Sequence, residues 1–307
     1  MKKLFLASPR GFCAGVRRAL DTVEAALNKS NDVIYVYHEI VHNDYVVRNL
    51  RARGVVFVDN ITEVPENGII VFSAHGVSLC IENEAQQRNL KTIDATCPLV
   101  KKIHNRGREL VKSGYVVFIL GHSDHPEIKG TLGQLRGDAF VIENLVQFER
   151  AAKNIPPDAK VAYLTQTTLN INDTSDIVTA MKSRFPGIHG ESDICYATAN
   201  RQNAIKLLAS KCDTVFVIGS AKSSNSNRLR EVAGSHGARA FLVNDYTEVT
   251  EAMLKGAKNV GVSAGASAPD CLVYDLCEFL TGKGWSKAET LESSCENTVF
   301  SIPEIRV

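Results

Sequence analysis

Short apolar, β-branched runs alternate with stretches of helical periodicity from one end of this chain to the other. Strands are expected at 3–7, 33–37, 55–58, 69–73, 116–120, 139–142, 161–165, 214–218, 240–243 and 260–263. Helical patterns fill most of the intervals, at 16–27, 39–53, 100–112, 127–135, 173–185, 199–210, 225–236 and 269–281. Strands that alternate with helices pair in parallel, because a parallel pair needs a long crossover and a helix is the usual one. The expected class is therefore α/β, with small, mainly parallel sheets flanked by helices. At 307 residues the chain is too long for one simple core and predicts two or three compact units. The Pro156-Pro157-Asp158 and Gly282-Lys283-Gly284 breaks read as turns, and no long linker interrupts the pattern.

Charge excludes some partners. With 35 basic against 34 acidic residues the net charge is +1, which gives no electrostatic reason to bind nucleic acid or a membrane surface. Any anion must be held by local dipoles and side chains. The opening MKKLFLASPRG carries an apolar run too short for a signal peptide or a membrane span. Eight cysteines without such a signal predict a reducing cytoplasm, where they serve as thiols or metal ligands rather than disulfides.

The strand ends hold the chemistry. VFSAHG, FILGHSDHPE, YLTQTT, VIGSAKSSNSN and VSAGASAPD each pass from an apolar strand into small, hydroxyl-bearing or imidazole residues. In open α/β sheets the carboxyl ends of the strands form the ligand crevice, and the helix N-termini there present unsatisfied N–H groups to an anion. Three cysteines have the same kind of setting: Cys13 in SPRGFCAGV, Cys97 in DATCPLVKK and Cys195 in SDICYATANRQ, each ahead of an amphipathic run. Three thiolates from three lobes would hold a soft metal centre and leave one coordination position open. Taken singly, each is as well explained as a small buried hydrophobe. Of the rest, Cys212, Cys271, Cys277 and Cys295 read as structural or incidental, while Cys80, close behind His75, keeps both readings.

His42, His75, His122 and His125 lie in these loops, and imidazoles are good donors to phosphate, although a single loop histidine is more often merely solvated. Glu127 follows Pro126 at a helix start, where it either complements the dipole or relays a proton. Ser223, Ser224 and Asn225 form either an anion cradle or an ordinary N-cap, and the same two readings hold for 165–168 and Ser267. Neither GxGxxG after the first strand nor GxxxxGK[ST] is present, which disfavours a standard dinucleotide fold or a P-loop NTPase. HExxH is also missing, so a zincin site is not expected.

PRGFCAGV, IVHN, FSAHGVS, DATCPLV, GHSDHPEIKGT, TQTTL, SDICYATANRQ, GSAKSSNSNRL and SAGASAPD, in this order, resemble the 4-hydroxy-3-methylbut-2-enyl diphosphate reductase family over nearly the whole chain. That resemblance implies three α/β lobes, pseudo-threefold around a central [4Fe–4S] cluster with one iron lacking a protein ligand. The lobes would span 14–96, 97–194 and 195–281, with a central N-terminal segment 1–13 and a tail 282–307. It implies Cys13, Cys97 and Cys195 as cluster ligands. His42, His75, Ser223, Ser224, Asn225 and Ser267 would hold the substrate diphosphate, with His125 lining the same pocket. Glu127 would donate a proton, and Thr167 would contact the substrate near its leaving hydroxyl.

The implied reaction is the last step of the methylerythritol phosphate pathway, in which (E)-4-hydroxy-3-methylbut-2-enyl diphosphate is reductively dehydroxylated to isopentenyl and dimethylallyl diphosphate. The substrate oxygen would bind the open iron, two electrons would arrive singly from ferredoxin or flavodoxin, and the hydroxyl would leave as water. Two other classes use the same residues: a metal-independent diphosphate isomerase or transferase, and a non-catalytic iron–sulfur sensor of isoprenoid diphosphates. The first predicts a colourless active protein, the second a cluster without product.

Overall fold

The computed structural model describes residues 2–305, without the side chains at 171–173. The first part of the chain runs β1 (Lys3–Ser8), α1 (Ala14–Lys29), β2 (Ile34–Tyr37), α2 (Asp44–Ala52), β3 (Val56–Val58), β4 (Ile69–Phe72), α3 (Leu79–Gln87) and β5 (Lys91–Asp94). It continues through α4 (Pro98–Lys112), β6 (Val116–Leu120), α5 (Pro126–Gln134), β7 (Ala139–Ile142), α6 (Leu145–Ala152), β8 (Val161–Thr165) and α7 (Ile171–Arg184). The last part is α8 (Tyr196–Ala209), β9 (Thr214–Ile218), α9 (Ser224–Ser235), β10 (Arg239–Val243), α10 (Glu251–Leu254), β11 (Asn259–Ala264), α11 (Asp270–Gly282) and β12 (Glu289–Glu292).

The strands form three sheets, ordered β10-β9-β11-β1-β12, β3-β2-β4-β5 and β7-β6-β8. Every strand pair among the described residues is parallel, as the alternation of elements predicts. Two compact units contain them. One comprises 1–17, 41–53 and 196–299 and holds the five-stranded sheet; the other comprises 18–40, 54–195 and 300–307 and holds the other two. Strands β4, β8 and β9 are buried along their whole length, since helices cover both faces of a parallel sheet.

Several elements differ from the sequence reading. Strands β5 (KTID) and β12 (ETLE) were not expected, because each is a polar edge strand that buries only one apolar side chain, Ile93 or Leu291. The helix expected from residue 39 begins at Asp44. The Asn43 carboxamide accepts from the Val46 N–H at 3.0 Å, capping the helix and leaving 39–43 as the irregular segment that carries His42. The first and last strands share a sheet, with β1 lying between β11 and β12. Among the described residues no helix is long and apolar enough to cross a membrane.

In the three-stranded sheet the core is aromatic. Phe118 is fully buried, with its ring centroid 5.4 Å from Phe148 and 6.1 Å from Phe185. Removing that ring deletes both the transferred area and the contacts of its neighbours. Phe118→Ala is expected to cost about 3–5 kcal/mol, read as a lower urea midpoint with an unchanged slope.

Candidate functional site

In the second unit one run of contacts joins six of the sequence-predicted residues. The Cys97 N–H donates to the Ala74 carbonyl at 3.0 Å, which ties the cysteine to the loop of His75. The His75 and His125 rings meet edge to face, 5.5 Å between centroids. His125 is the N-cap of α5, and its Nδ1 accepts from the Glu127 N–H at 3.1 Å, while Pro126 occupies the first helical position without needing a partner. Glu127 is buried, and both carboxylate oxygens accept from Thr167: Oε1 from its N–H and Oε2 from its hydroxyl, each at 2.7 Å. Thr167 then passes its carbonyl to the Cys195 N–H at 3.1 Å.

The loops beneath are braced. Gln166 accepts from the His122 N–H at 3.0 Å and donates to Thr168 at 2.8 Å, holding the strand ends of β6 and β8 together. Gln134 of α5 donates to the Val77 carbonyl at 2.8 Å. Gly76 has φ +77°, and a Cβ there would lie 2.6 Å from the His104 ring, so only glycine allows this close packing under His75. Burial and the nearby Arg108 guanidinium push His104 down to about 4, so that ring is neutral at physiological pH.

Electrostatics single out Glu127. Burial raises its carboxyl from 4.5 to about 6, against the opposing effect of the two Thr167 bonds and with a further upward push from Asp193. Asp193 is itself raised by burial, although the Thr165 N–H and Arg106 oppose that shift. Its carboxylate accepts from Thr165 N–H at 3.0 Å and pairs with Arg106 at 2.7 and 2.8 Å.

The first unit gathers the remaining six around the loop that follows β11. The Cys13 N–H donates to the Ala266 carbonyl at 3.2 Å, and the neighbouring Ser267 hydroxyl donates to the His42 carbonyl at 2.9 Å. Ser223 caps α9 by accepting from the Ser226 N–H at 3.3 Å, and Ser224 is the first residue of that helix. Asn225 is 4% exposed, and neither its amide nitrogen nor its carbonyl oxygen has a hydrogen-bond partner among the described residues. An unpaired buried amide is costly, and a polar ligand that reached this side chain would satisfy it.

None of the eight cysteines is in a disulfide. Cys13, Cys97 and Cys195 are half-buried, and each stands immediately before the first residue of a helix, α1, α4 or α8. Accessible thiols at positions where first-turn N–H groups lack intrahelical partners fit ligation of a soft, anionic metal centre. Cys212 differs: burial pushes its thiol up to about 12, as befits a structural residue. Burial likewise takes Cys277 to about 11, while Cys80, Cys271 and Cys295 are exposed. Sequence reasoning passed over Asp193 and the arginines at 106 and 201. Asp193 and Arg201 stand within SDICYATANRQ, and Arg106 in the helical run after Cys97, but a polar side chain whose partner is distant in sequence carries no periodic signature.

A family model described as LytB protein matches residues 4–281. The chain is 46% identical to 4-hydroxy-3-methylbut-2-enyl diphosphate reductase 2 of Bradyrhizobium diazoefficiens, over 98% of each sequence. It is 48% identical to the 4-hydroxy-3-methylbut-2-enyl diphosphate reductase of Salmonella schwarzengrund, over 99% of this chain and 98% of that one. Among solved structures it resembles the E-1-hydroxy-2-methyl-but-2-enyl-4-diphosphate reductase from Plasmodium falciparum, with TM-score 0.93 and 35% identity over 100% of this chain and 95% of that chain.

Because Glu127 binds its proton more tightly folded than unfolded, the native state gains protons between pH 4.5 and 6. Stability contributed by this group is therefore greatest in acid and falls as pH rises through about 6. Glu127→Gln abolishes that titration. Relative to the parent, the variant should gain about 2 kcal/mol of unfolding free energy between pH 4 and pH 7.5, measured by urea titration at each pH.

Proposed function

Because the chain belongs to the LytB protein family, we propose that it reductively dehydroxylates (E)-4-hydroxy-3-methylbut-2-enyl diphosphate to isopentenyl and dimethylallyl diphosphate. This makes it an oxidoreductase of isoprenoid biosynthesis by the methylerythritol phosphate route. The observation that carries the reading is the buried Glu127–Thr167 pair, a carboxyl raised to about 6 and bonded through both oxygens to one threonine. Cys13, Cys97 and Cys195 would hold a [4Fe–4S] cluster with one iron lacking a protein ligand. When bound, such a cluster supplies an open Lewis-acid position and electrons one at a time.

The chain's own residues bind the substrate and move protons. Imidazoles of His42, His75 and His125, hydroxyls of Ser223, Ser224 and Ser267, and the Asn225 amide nitrogen are the donors for the diphosphate oxygens. The α9 N-terminus adds the positive end of its helix dipole to the same anion. Near neutral pH a useful fraction of Glu127 is protonated. Protonated, Glu127 donates to the Thr167 oxygen, which frees the Thr167 hydroxyl proton for the leaving oxygen. The balance is two electrons and two protons consumed: one proton departs with the oxygen as water, and the other adds to carbon at either end of the allyl unit. Ferredoxin or flavodoxin is the electron donor in this reading, and the cytoplasm, where thiols stay reduced, is the compartment.

The test is an anaerobic assay of the reconstituted protein with substrate and a low-potential reductant, with both products quantified. Glu127→Gln should keep the cluster spectrum and lower kcat by roughly 10²- to 10⁴-fold. Asn225→Ala should raise KM roughly tenfold, the worth of one hydrogen bond to a charged group. Full turnover in Glu127→Gln with an intact cluster would remove the proton-relay role.

A further inference from the structure

Three arginines hold the three cysteine segments, and they do so in a repeating order. Arg18 lies on α1, the helix that follows Cys13. It is 7% exposed, and its guanidinium donates to the Thr96 carbonyl at 3.0 Å and the Asp94 carbonyl at 3.4 Å, in the segment leading into Cys97. Arg106 lies on α4, the helix that follows Cys97. It forks onto the Asp193 carboxylate at 2.7 and 2.8 Å, two residues ahead of Cys195. Arg201 lies on α8, the helix that follows Cys195, and is 0% exposed. Two of its nitrogens donate to the Gly11 carbonyl at 3.0 and 2.8 Å, two residues ahead of Cys13.

The pattern is head to tail: the helix after each cysteine carries the arginine that fixes the segment before the next. We propose that Arg18, Arg106 and Arg201 are positioning residues, each setting the place of one cysteine thiol, Cys97, Cys195 and Cys13 respectively. The inference rests on the reading of these cysteines as cluster ligands. Each arginine is itself anchored, which a positioning role requires. Arg18 Nε donates to the Ser301 carbonyl at 2.8 Å, Arg106 also reaches the Tyr163 carbonyl at 3.3 Å, and Arg201 pairs with both Glu296 oxygens at 2.9 and 3.1 Å. Two of the three anchors come from the C-terminal segment, which assigns that tail a purpose beyond its edge strand.

Arginine suits the task because its planar fork meets several acceptors at once. A lysine ammonium on the same stem could not hold Gly11, Ala197 and Glu296 together as Arg201 does. Backbone bonds also restrain the Cys13 loop, Gly11 N–H to Ala264 and Cys13 N–H to Ala266, each 3.2 Å. Gly11 has φ +64°, a conformation that directs its carbonyl to the arginine and that other residues rarely adopt.

The experiment is peptide-resolved alkylation of the unreconstituted, reduced protein, comparing Arg18→Gln, Arg106→Gln and Arg201→Gln with the parent. Each variant should speed labelling of its own cysteine roughly tenfold, through local opening of one charged hydrogen-bond set, and leave the other two near parental rates. A general loss of stability would instead raise all three together, and that uniform rise, or no rise at all, would overturn the proposal. Should a glutamine variant fail to fold, the Arg→Lys series and Glu296→Gln carry the same test, the latter expected to expose Cys13 alone. After reconstitution, iron loss to a chelator should be about 10- to 100-fold faster in each variant. If the parent protein takes up no cluster, the functional reading fails, while the labelling pattern still decides the positioning role.

Discussion

Parallel pairing is the constraint from which the rest of this structure follows. Two parallel strands cannot be joined by a tight turn, so each leaves its sheet at the carboxyl end and returns by a crossover. Every described pair here is parallel, and the residues of interest occupy those exits: Cys13 after β1, His75 after β4, Cys97 after β5, Thr167 after β8, Ser223 after β9 and Ser267 after β11. The next element is usually a helix, whose first N–H groups have no partner within the helix itself. Anion-binding capacity is thus a by-product of topology, and the side chains specify which anion.

Within that frame the second unit spends stability to keep one carboxyl ready to titrate. Two Thr167 donors alone would hold Glu127 ionised, and burial outweighs them. Asp193 adds to the upward push, yet it is itself held by Arg106 and the Thr165 N–H. The same threonine that donates to Glu127 also anchors Cys195 through its carbonyl. The raised Glu127 carboxyl and Cys195 are therefore tied to one backbone segment, and a shift in one displaces the other.

How much of this was legible in the sequence depended on the kind of signal. Buried parallel strands such as VFVI and VAYLT announce themselves as apolar runs, and helix starts at Pro98, Pro126 and Ser223 follow from local chemistry. Edge strands KTID and ETLE do not, because parallel pairing to one neighbour requires only a single buried residue. Cys13, Cys97 and Cys195 stood out through their flanks, and Glu127 through its place after Pro126. The arginines bonded to the cysteine segments, Arg18, Arg106 and Arg201, did not. Arg201 reads as an ordinary charge on an amphipathic helix until the fold brings Gly11 and Glu296 to it, contacts separated by 190 and 95 positions in the chain.

Such long-range polar contacts also explain why an arginine is tolerated at zero exposure. A buried guanidinium without acceptors would be strongly destabilising, whereas Arg201 meets two carbonyls and a carboxylate. Backbone carbonyls at strand exits are themselves left over from the sheet, because pairing ends where the loops begin. One side chain thus satisfies acceptors the topology strands and fixes the loop that displays them. The buried charge is tolerated in part because the exit from β1 leaves the Gly11 carbonyl to accept from it, and that loop can be irregular because the charge is there to hold it.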